Sequence, residues 1–500
     1  MTWSAGTGPR SPPTSREGRS SLRSATSRRR TRLVLSAQRR LRRWPVAIEP
    51  SSHARGSVSR PDSIVGKFWR RLVRNARWGF AATWVESAAT VVTTAITARA
   101  LGADDYGRMA LVTAAVWMVK QFVDLRTWEG VTRYMTTFLE EGRPSLALAT
   151  LKFALIAESC VATASYGLAI AAAGIIAERY LGAADLRGAV VLYALTLVTS
   201  AFDAVARAVL RVFDRFRDLA VQTVIGSFCG LAILILGLAI QRSVQAVLMA
   251  HLLSDLVEAA LLGGLALRQV RQRLWPARRD AGLSLLRPHL RLLLKFMGQT
   301  ALRATLKMNR HLDALVIGHF QSPTEVAYYR VARRLATALE DLANPFYFAI
   351  FPELSRTWAK ARSEFPRIVA RTAITTLKVT LPGTALMVLL APVLVRGLMG
   401  AAFGPAVAPF RLLVIGVGVA VATFWGTPAA LSSGRPGLAT GAVALGVLTN
   451  VTLLLLLVPA HGATGAAVAS IGGAVAYAGV IGSLLPSVLK RPSWRRALGE

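Results

Sequence analysis

Apolar runs recur from residue 78 to residue 487, and they constrain this chain more than any other feature. The stretches 231–240, 386–395 and 451–458 are almost wholly apolar. About 20 mainly apolar residues in a helix cross a bilayer, and the sequence predicts such spans near 78–101, 106–126, 147–177, 189–212, 219–241 and 244–267. A second set is expected near 295–319, 325–350, 367–396, 405–426, 437–459 and 463–487. Composition agrees: hydrophobic residues make up 53% and charged residues 17%, whereas a globular domain carries about 25% charge. The chain reads as an all-α integral membrane protein with about twelve transmembrane helices.

The net charge of +34 would suit a nucleic-acid binder if it were spread over a soluble domain, but its placement excludes that partner. Residues 1–77 hold 19 Lys and Arg against three acids, and eight more cations lie between Arg268 and Lys295. Cations gathered between apolar spans mark cytoplasmic loops. The segments 127–146, 213–218, 268–294 and 351–366 are therefore expected inside. The short turns 103–105, 242–243, 321–324 and 460–462 are expected outside, which puts both termini in the cytoplasm and the chain in the cytoplasmic membrane.

This layout predicts six units. They are a disordered basic tail 1–63, an amphipathic interfacial helix 64–77, a six-helix lobe 78–267, a basic cytoplasmic connector 268–294, a second six-helix lobe 295–488 and a cytoplasmic tail 489–500. The first tail is too polar and too rich in Ser, Arg, Pro and Gly to bury a core. It fits either a tether to anionic membrane lipids or an extension without function. No signal peptide is expected before the first span. Cys160 and Cys229 are expected as buried thiols. No P-loop, His/Cys cluster or G-x-S-x-G elbow occurs, so neither a cofactor nor a metal nor an enzymatic activity is expected. Asp104-Asp105 reads as a helix-boundary turn rather than a catalytic pair.

Several segments carry a resemblance. Ala98-Arg-Ala-Leu-Gly-Ala-Asp-Asp-Tyr-Gly-Arg108 resembles the turn after the first helix of Wzx-type polysaccharide flippases, within the multidrug/oligosaccharidyl-lipid/polysaccharide transporter superfamily. Leu312-Asp-Ala-Leu-Val-Ile-Gly-His-Phe320 with Ala327-Tyr-Tyr-Arg-Val-Ala332 resembles the family's seventh and eighth helices, and Pro345 through Phe351-Pro-Glu-Leu-Ser355 the end of the eighth. Phe403-Gly-Pro, Gly434-Arg-Pro, Asn450, Val458-Pro and His461-Gly-Ala-Thr-Gly-Ala-Ala467 follow in the family's order. The resemblance covers roughly 64–488. It implies two six-helix lobes around a central cavity open alternately to each membrane face, and a polyprenyl-(pyro)phosphate-linked oligosaccharide moved to the outer leaflet for surface polysaccharide assembly. A polysaccharide polymerase or glycosyltransferases would be partners. A lipid II flippase, an ion-coupled multidrug antiporter and a non-transporting scaffold for glycan-assembly enzymes are the alternatives.

Hydropathy alone rejects 295–319 and 325–350 as spans, and a cytosolic amphipathic hairpin fits their charge equally well. Their cations are the candidate binding residues. Arg303, Lys307 and Arg310 stand at i, i+4 and i+7, and Arg330, Arg334 and Asp341 at i, i+4 and i+11, so each set shares a helix face. A charge inside a span costs about 2.5–3.5 kcal/mol on insertion scales, so it faces water or a partner. A cationic lumen would receive an anionic headgroup, since guanidinium matches phosphate oxygens in pairs. Pairing of Arg333 with Glu340 is the plainer alternative. Among acids within spans, Glu86, Glu158, Asp124 and Asp255 are candidates for ion coupling. Lys120–Asp124 and Asp203–Arg207 are spaced to neutralise each other, and Glu86 and Glu158 have no such neighbour.

Overall fold

The computed structural model describes residues 64–123, 127–180, 186–305 and 309–483, with backbone alone at 64–79, 122–123, 179–180, 299–305, 309–311, 342–349, 351–353, 356, 359–360 and 436. The expected tails 1–63 and 489–500, together with Asp124 and Lys307, lie outside the described residues.

Every described element is helical. Helix α1 (Ile64–Val123) is followed by α2 (Pro144–Ile175), α3 (Arg187–Ala194), α4 (Thr196–Val212), α5 (Phe216–Ile240) and α6 (Val244–Arg273). Then come α7 (Arg287–Thr305), α8 (Asn309–Phe320), α9 (Pro323–Lys360), α10 (Phe365–Met399), α11 (Val407–Ala422), α12 (Gly426–Ser432) and α13 (Pro436–Gly482). Among the described residues, seven helical stretches, α2, α5, α6 and α10 included, are long and apolar enough to cross a membrane. Their outer surfaces leave large apolar side chains uncovered, as at Phe228 and Leu236 of α5 or Val379 and Leu389 of α10. That pattern suits lipid rather than water. Cys160 also lies on an outer surface, correcting the expectation of a buried thiol.

Two elements double back. Helix α1 turns at Gly102 (φ 76°, ψ −178°) and α13 at Gly462 (φ 51°, ψ −130°), backbone regions in which a Cβ would be strained. Each therefore has two limbs, and the expected turns at 103–105 and 460–462 fall at these kinks. Helix starts follow local chemistry. The Ser243 hydroxyl accepts from the Ala246 amide at the start of α6 and Ser322 from Glu325 at the start of α9, while Pro occupies the first turn of α2, α9 and α13, where its missing N–H is harmless. Pro382 and Pro392 lie inside α10 without ending it. Pro392 cannot donate to the Val388 carbonyl four residues back, and Arg411 Nε of α11 donates to that oxygen instead at 3.2 Å.

Four features depart from the expected layout. The segment 127–146 is not a loop: Thr127–Gly130, Val131–Met135 and Thr136–Glu140 are helical and bury Val131, Tyr134, Met135 and Phe138. Helix α9 runs through positions 345 and 352 to Lys360, and α6 and α7 extend into the expected connector, leaving only short 3₁₀ turns between them. No break separates the amphipathic stretch from the first span, because α1 is continuous from Ile64 to its kink.

Helix α4 packs between α2 and α6, with α5 on α6; α11 packs on α9, α10 and α13, with α8 on α13. The two limbs of α1 join both sets. Tyr106 and Leu111 of its second limb share one core with Ile317 of α8 and Val326, Tyr329 and Ala332 of α9. Helices α8 and α9 are thus bundle helices, not a separate hairpin.

The α1–α9 junction is tightest at one end. A Cβ on Gly107 would lie 1.8 Å from the Pro323 carbonyl oxygen, so only glycine permits the approach. Around it, Thr324 Oγ1 donates to Asp104 at 3.4 Å, and Arg99 Nε donates to the Leu398 carbonyl at the C-terminus of α10 at 2.8 Å. Gln321 donates to the carbonyls of Val458 and Pro459, and the Ala463 amide donates to Glu325 at 2.9 Å, holding the α13 kink. A cation at a helix C-terminus and an anion at an N-terminus both oppose the helix dipole favourably. These contacts seal one end of the bundle.

Candidate functional site: a cavity with a threonine wall and an arginine wall

Below the seal, α1, α3, α6 and α9 enclose a cavity of about 430 Å³, within the range of small-molecule sites. The first limb of α1 contributes Thr90, Thr93, Thr94 and Thr97, spaced i, i+3, i+4 and i+7 and hence on one face. The second limb adds Tyr106, Met109, Thr113 and Trp117; Tyr193 and His251 come from α3 and α6. Trp117 Nε1 donates to the Tyr193 hydroxyl at 3.2 Å, fixing both rings. Helix α9 supplies the facing wall with Arg330, Arg333, Arg334, Thr337 and Glu340.

Three guanidinium groups face one carboxylate on that wall. Arg334 is braced from one side: its Nη2 donates to the Ser87 carbonyl at 3.3 Å, and the Ser87 hydroxyl donates to Asp341 at 3.2 Å. Its Nε is buried and has no hydrogen-bond partner. A buried unmet donor is costly, and a ligand oxygen would relieve it. The arrangement can therefore hold an anionic group against the arginines while hydroxyls and aromatic faces meet a polar, ring-bearing moiety opposite.

Of the residues singled out from sequence, Arg330 and Arg334 come together on this wall with Arg333, which the sequence had offered only as a partner for Glu340. Glu340 does lie within electrostatic reach of Arg333. The side chains of Arg303 and Arg310 and all of Lys307 and Asp124 lie outside the described residues. Glu86 is within electrostatic reach of Arg207, Glu258, Arg334 and Asp341, and Asp255 of Glu258, Asp203 and Lys120. These acids belong to one charged network bordering the cavity. Glu158 stands apart, buried on α2, and accepts from the Thr127 hydroxyl; its partner is on another element, which local spacing could not reveal. Arg207 lies within electrostatic reach of Asp203, as its spacing suggested, but its ion pair is with Glu258, joining α4 to α6. Lys120 donates to Ser200 at 2.6 Å. The threonine ladder was missed, although its spacing was legible in the first span.

The described residues thus form a many-helix membrane bundle with a polar cavity lined by helices of both halves, and solved structures share that architecture. The structure resembles the lipid II flippase MurJ in an inward closed conformation, with a TM-score of 0.64 and 13% identity over 82% of this chain and 87% of that one. It resembles an inward-facing multidrug resistance MATE transporter at 0.62 and 14%, over 84% and 96%. The Vibrio cholerae MATE transporter VcmN follows at 0.59 and 13%, over 85% and 98%. These likenesses are of fold. No curated protein sequence matches the chain. Residues 96–408 match the family described as polysaccharide biosynthesis protein, and the chain belongs to that family.

Proposed function

We propose that the protein is a flippase moving a polyprenyl-(pyro)phosphate-linked oligosaccharide from the inner to the outer leaflet of the cytoplasmic membrane, for surface polysaccharide assembly. The observation that carries this reading is the cavity itself, with Arg330, Arg333 and Arg334 facing a wall of threonines. Guanidinium groups suit the phosphates, the hydroxyls and Trp117 suit sugar, and the polyprenyl tail stays in lipid. A sugar headgroup cannot cross hydrocarbon unaided because each unpaired polar group costs several kcal/mol there. On the cation distribution, the sealed end faces outward and both termini face the cytoplasm. The 78–267 and 295–488 halves then rock about the cavity, and the α1–α9 seal opens when the substrate leaves. A polymerase or glycosyltransferases would work on either side of this step.

The charged network around Glu86, Asp255 and Glu258 supports a second element, coupling to an ion gradient. A cationic-drug antiporter fits less well, since arginines would repel its substrate. The test is mass spectrometry of membrane lipids after depletion of the protein. Accumulation of a polyprenyl-linked oligosaccharide is the expected result; unchanged lipid-linked glycan with intact surface polysaccharide would refute the reading. Simultaneous replacement of Arg330, Arg333 and Arg334 by Ala should reproduce the depletion phenotype, and full activity of that variant would remove the arginine wall from the mechanism.

A further inference from the structure

Arg333 faces two cavities. Besides the central one, it lines a second space of about 230 Å³ between α8, α9 and the two limbs of α13, together with Asp313, Asn450, Ser470 and Tyr477. Asp313 is 3% exposed. One of its carboxylate oxygens accepts from the Tyr329 hydroxyl; the other is buried without a hydrogen-bond partner. Asp313 lies within electrostatic reach of Arg333 first and of Arg330 after it. A buried carboxylate with one bare oxygen depends on its nearest cation. Here that cation is also on the wall that confronts the central cavity. The guanidinium carries five N–H donors in a flat fork, enough to serve acceptors on both sides.

We propose that Asp313 is an internal rival for the anion in the central cavity: it competes with the bound headgroup for Arg333 and so limits how tightly the cavity holds its substrate. The inference rests on the reading of the cavity given above. A transporter must release what it binds, and a site with three unopposed arginines would hold a pyrophosphate too well. An entering anion draws on the charge of Arg333 and leaves Asp313 less compensated. That loss weakens binding and favours release. Asp313 is in this sense a positioning residue, acting through Arg333 rather than on substrate. Tyr329 tempers the rival, since its hydroxyl takes part of the carboxylate's charge.

The test measures binding of a polyprenyl pyrophosphate to the full-length protein in nanodiscs, alongside transport turnover. Asp313→Asn should bind about tenfold tighter, within the usual span of coupling between two sites, and turn over more slowly. Tyr329→Phe should shift affinity the opposite way, to weaker binding, because the rival then carries its full charge. Damage to the fold weakens binding and turnover together, so a gain in affinity with a loss of turnover separates the two explanations. Wild-type affinity in both variants, with the wild-type protein binding the probe, would overturn this inference alone. Failure of the wild-type protein to bind the probe would overturn the reading of the cavity and this inference with it.

Discussion

The seal between α1 and α9 yields the sharpest prediction. In Gly107→Ala the added Cβ would stand 1.8 Å from the Pro323 oxygen and 2.4 Å from its carbonyl carbon. A carbon–oxygen contact settles at about 3.3 Å, so the two backbones must part by about 1.5 Å. Backbone lies on both sides, and no side chain can turn away to make room. Overpacking of this kind costs about 1–3 kcal/mol, and only the state in which the two turns touch bears it. At about 2 kcal/mol, the ratio of sealed to open molecules falls by about 30-fold. The assay places a reporter at Thr324→Cys, after replacing Cys160 and Cys229 by Ser, and follows labelling by a membrane-impermeant maleimide from the sealed side. Gly107→Ala should raise the labelling rate strongly. Gly102→Ala is the control: it strains the kink at φ 76° but meets nothing within 4 Å, so it should lower thermal stability without raising labelling. Equal labelling of Gly107→Ala and the parent would show that this contact does not hold the end shut.

Three further outcomes follow from local geometry. Arg411→Leu should lower the thermal unfolding midpoint by stranding the Val388 carbonyl, at about 1–3 kcal/mol; in a Pro392→Ala background, where the helix supplies its own N–H, the same change should have little effect, a coupling that a double-mutant cycle reads directly. Arg207→Ala leaves Glu258 uncompensated and should destabilise by about 1–3 kcal/mol, with Arg207→Ala/Glu258→Ala recovering most of the loss in the same melt. Replacing Thr90, Thr94 and Thr97 together by Val keeps side-chain volume near constant, and should raise the substrate concentration for half-maximal transport by about tenfold if two hydrogen bonds of about 0.7 kcal/mol each are lost.

Hydropathy and charge made the membrane class legible, along with most of the spans and both turns that became the kinks at Gly102 and Gly462. They failed where tertiary neighbours decide. The stretch after residue 126 read as a loop because Thr127, Glu129, Thr132, Arg133, Thr136 and Thr137 dilute its hydropathy. Its buried Val131, Tyr134, Met135 and Phe138 nevertheless follow i, i+3, i+4 and i+7, a helical pattern that the charge rule does not weigh. Local spacing offered Asp203 to Arg207, yet Arg207 reaches Glu258, 51 residues further on, because α4 and α6 lie side by side. Two of the three wall arginines, Arg330 and Arg334, were visible as intramembrane charge. The threonines opposite were not, since a hydroxyl in a span satisfies itself on its own helix, as Thr90 does on the Glu86 carbonyl and Thr97 on that of Thr93, and so carries no hydropathic penalty to flag it.

The partners of α1 lie far along the chain, and that distance sets a clock on biogenesis. Ser87 meets Asp341 after 254 residues and Arg99 meets Leu398 after 299. At about 5–20 residues per second, a ribosome needs roughly 15–60 s to make the second interval. Throughout it the newly inserted first hairpin holds Arg99 and Ser87 without the groups that receive them in the finished fold. Newborn chains paused between residues 123 and 398 should therefore be the ones most exposed to membrane quality control, whichever substrate the finished protein carries.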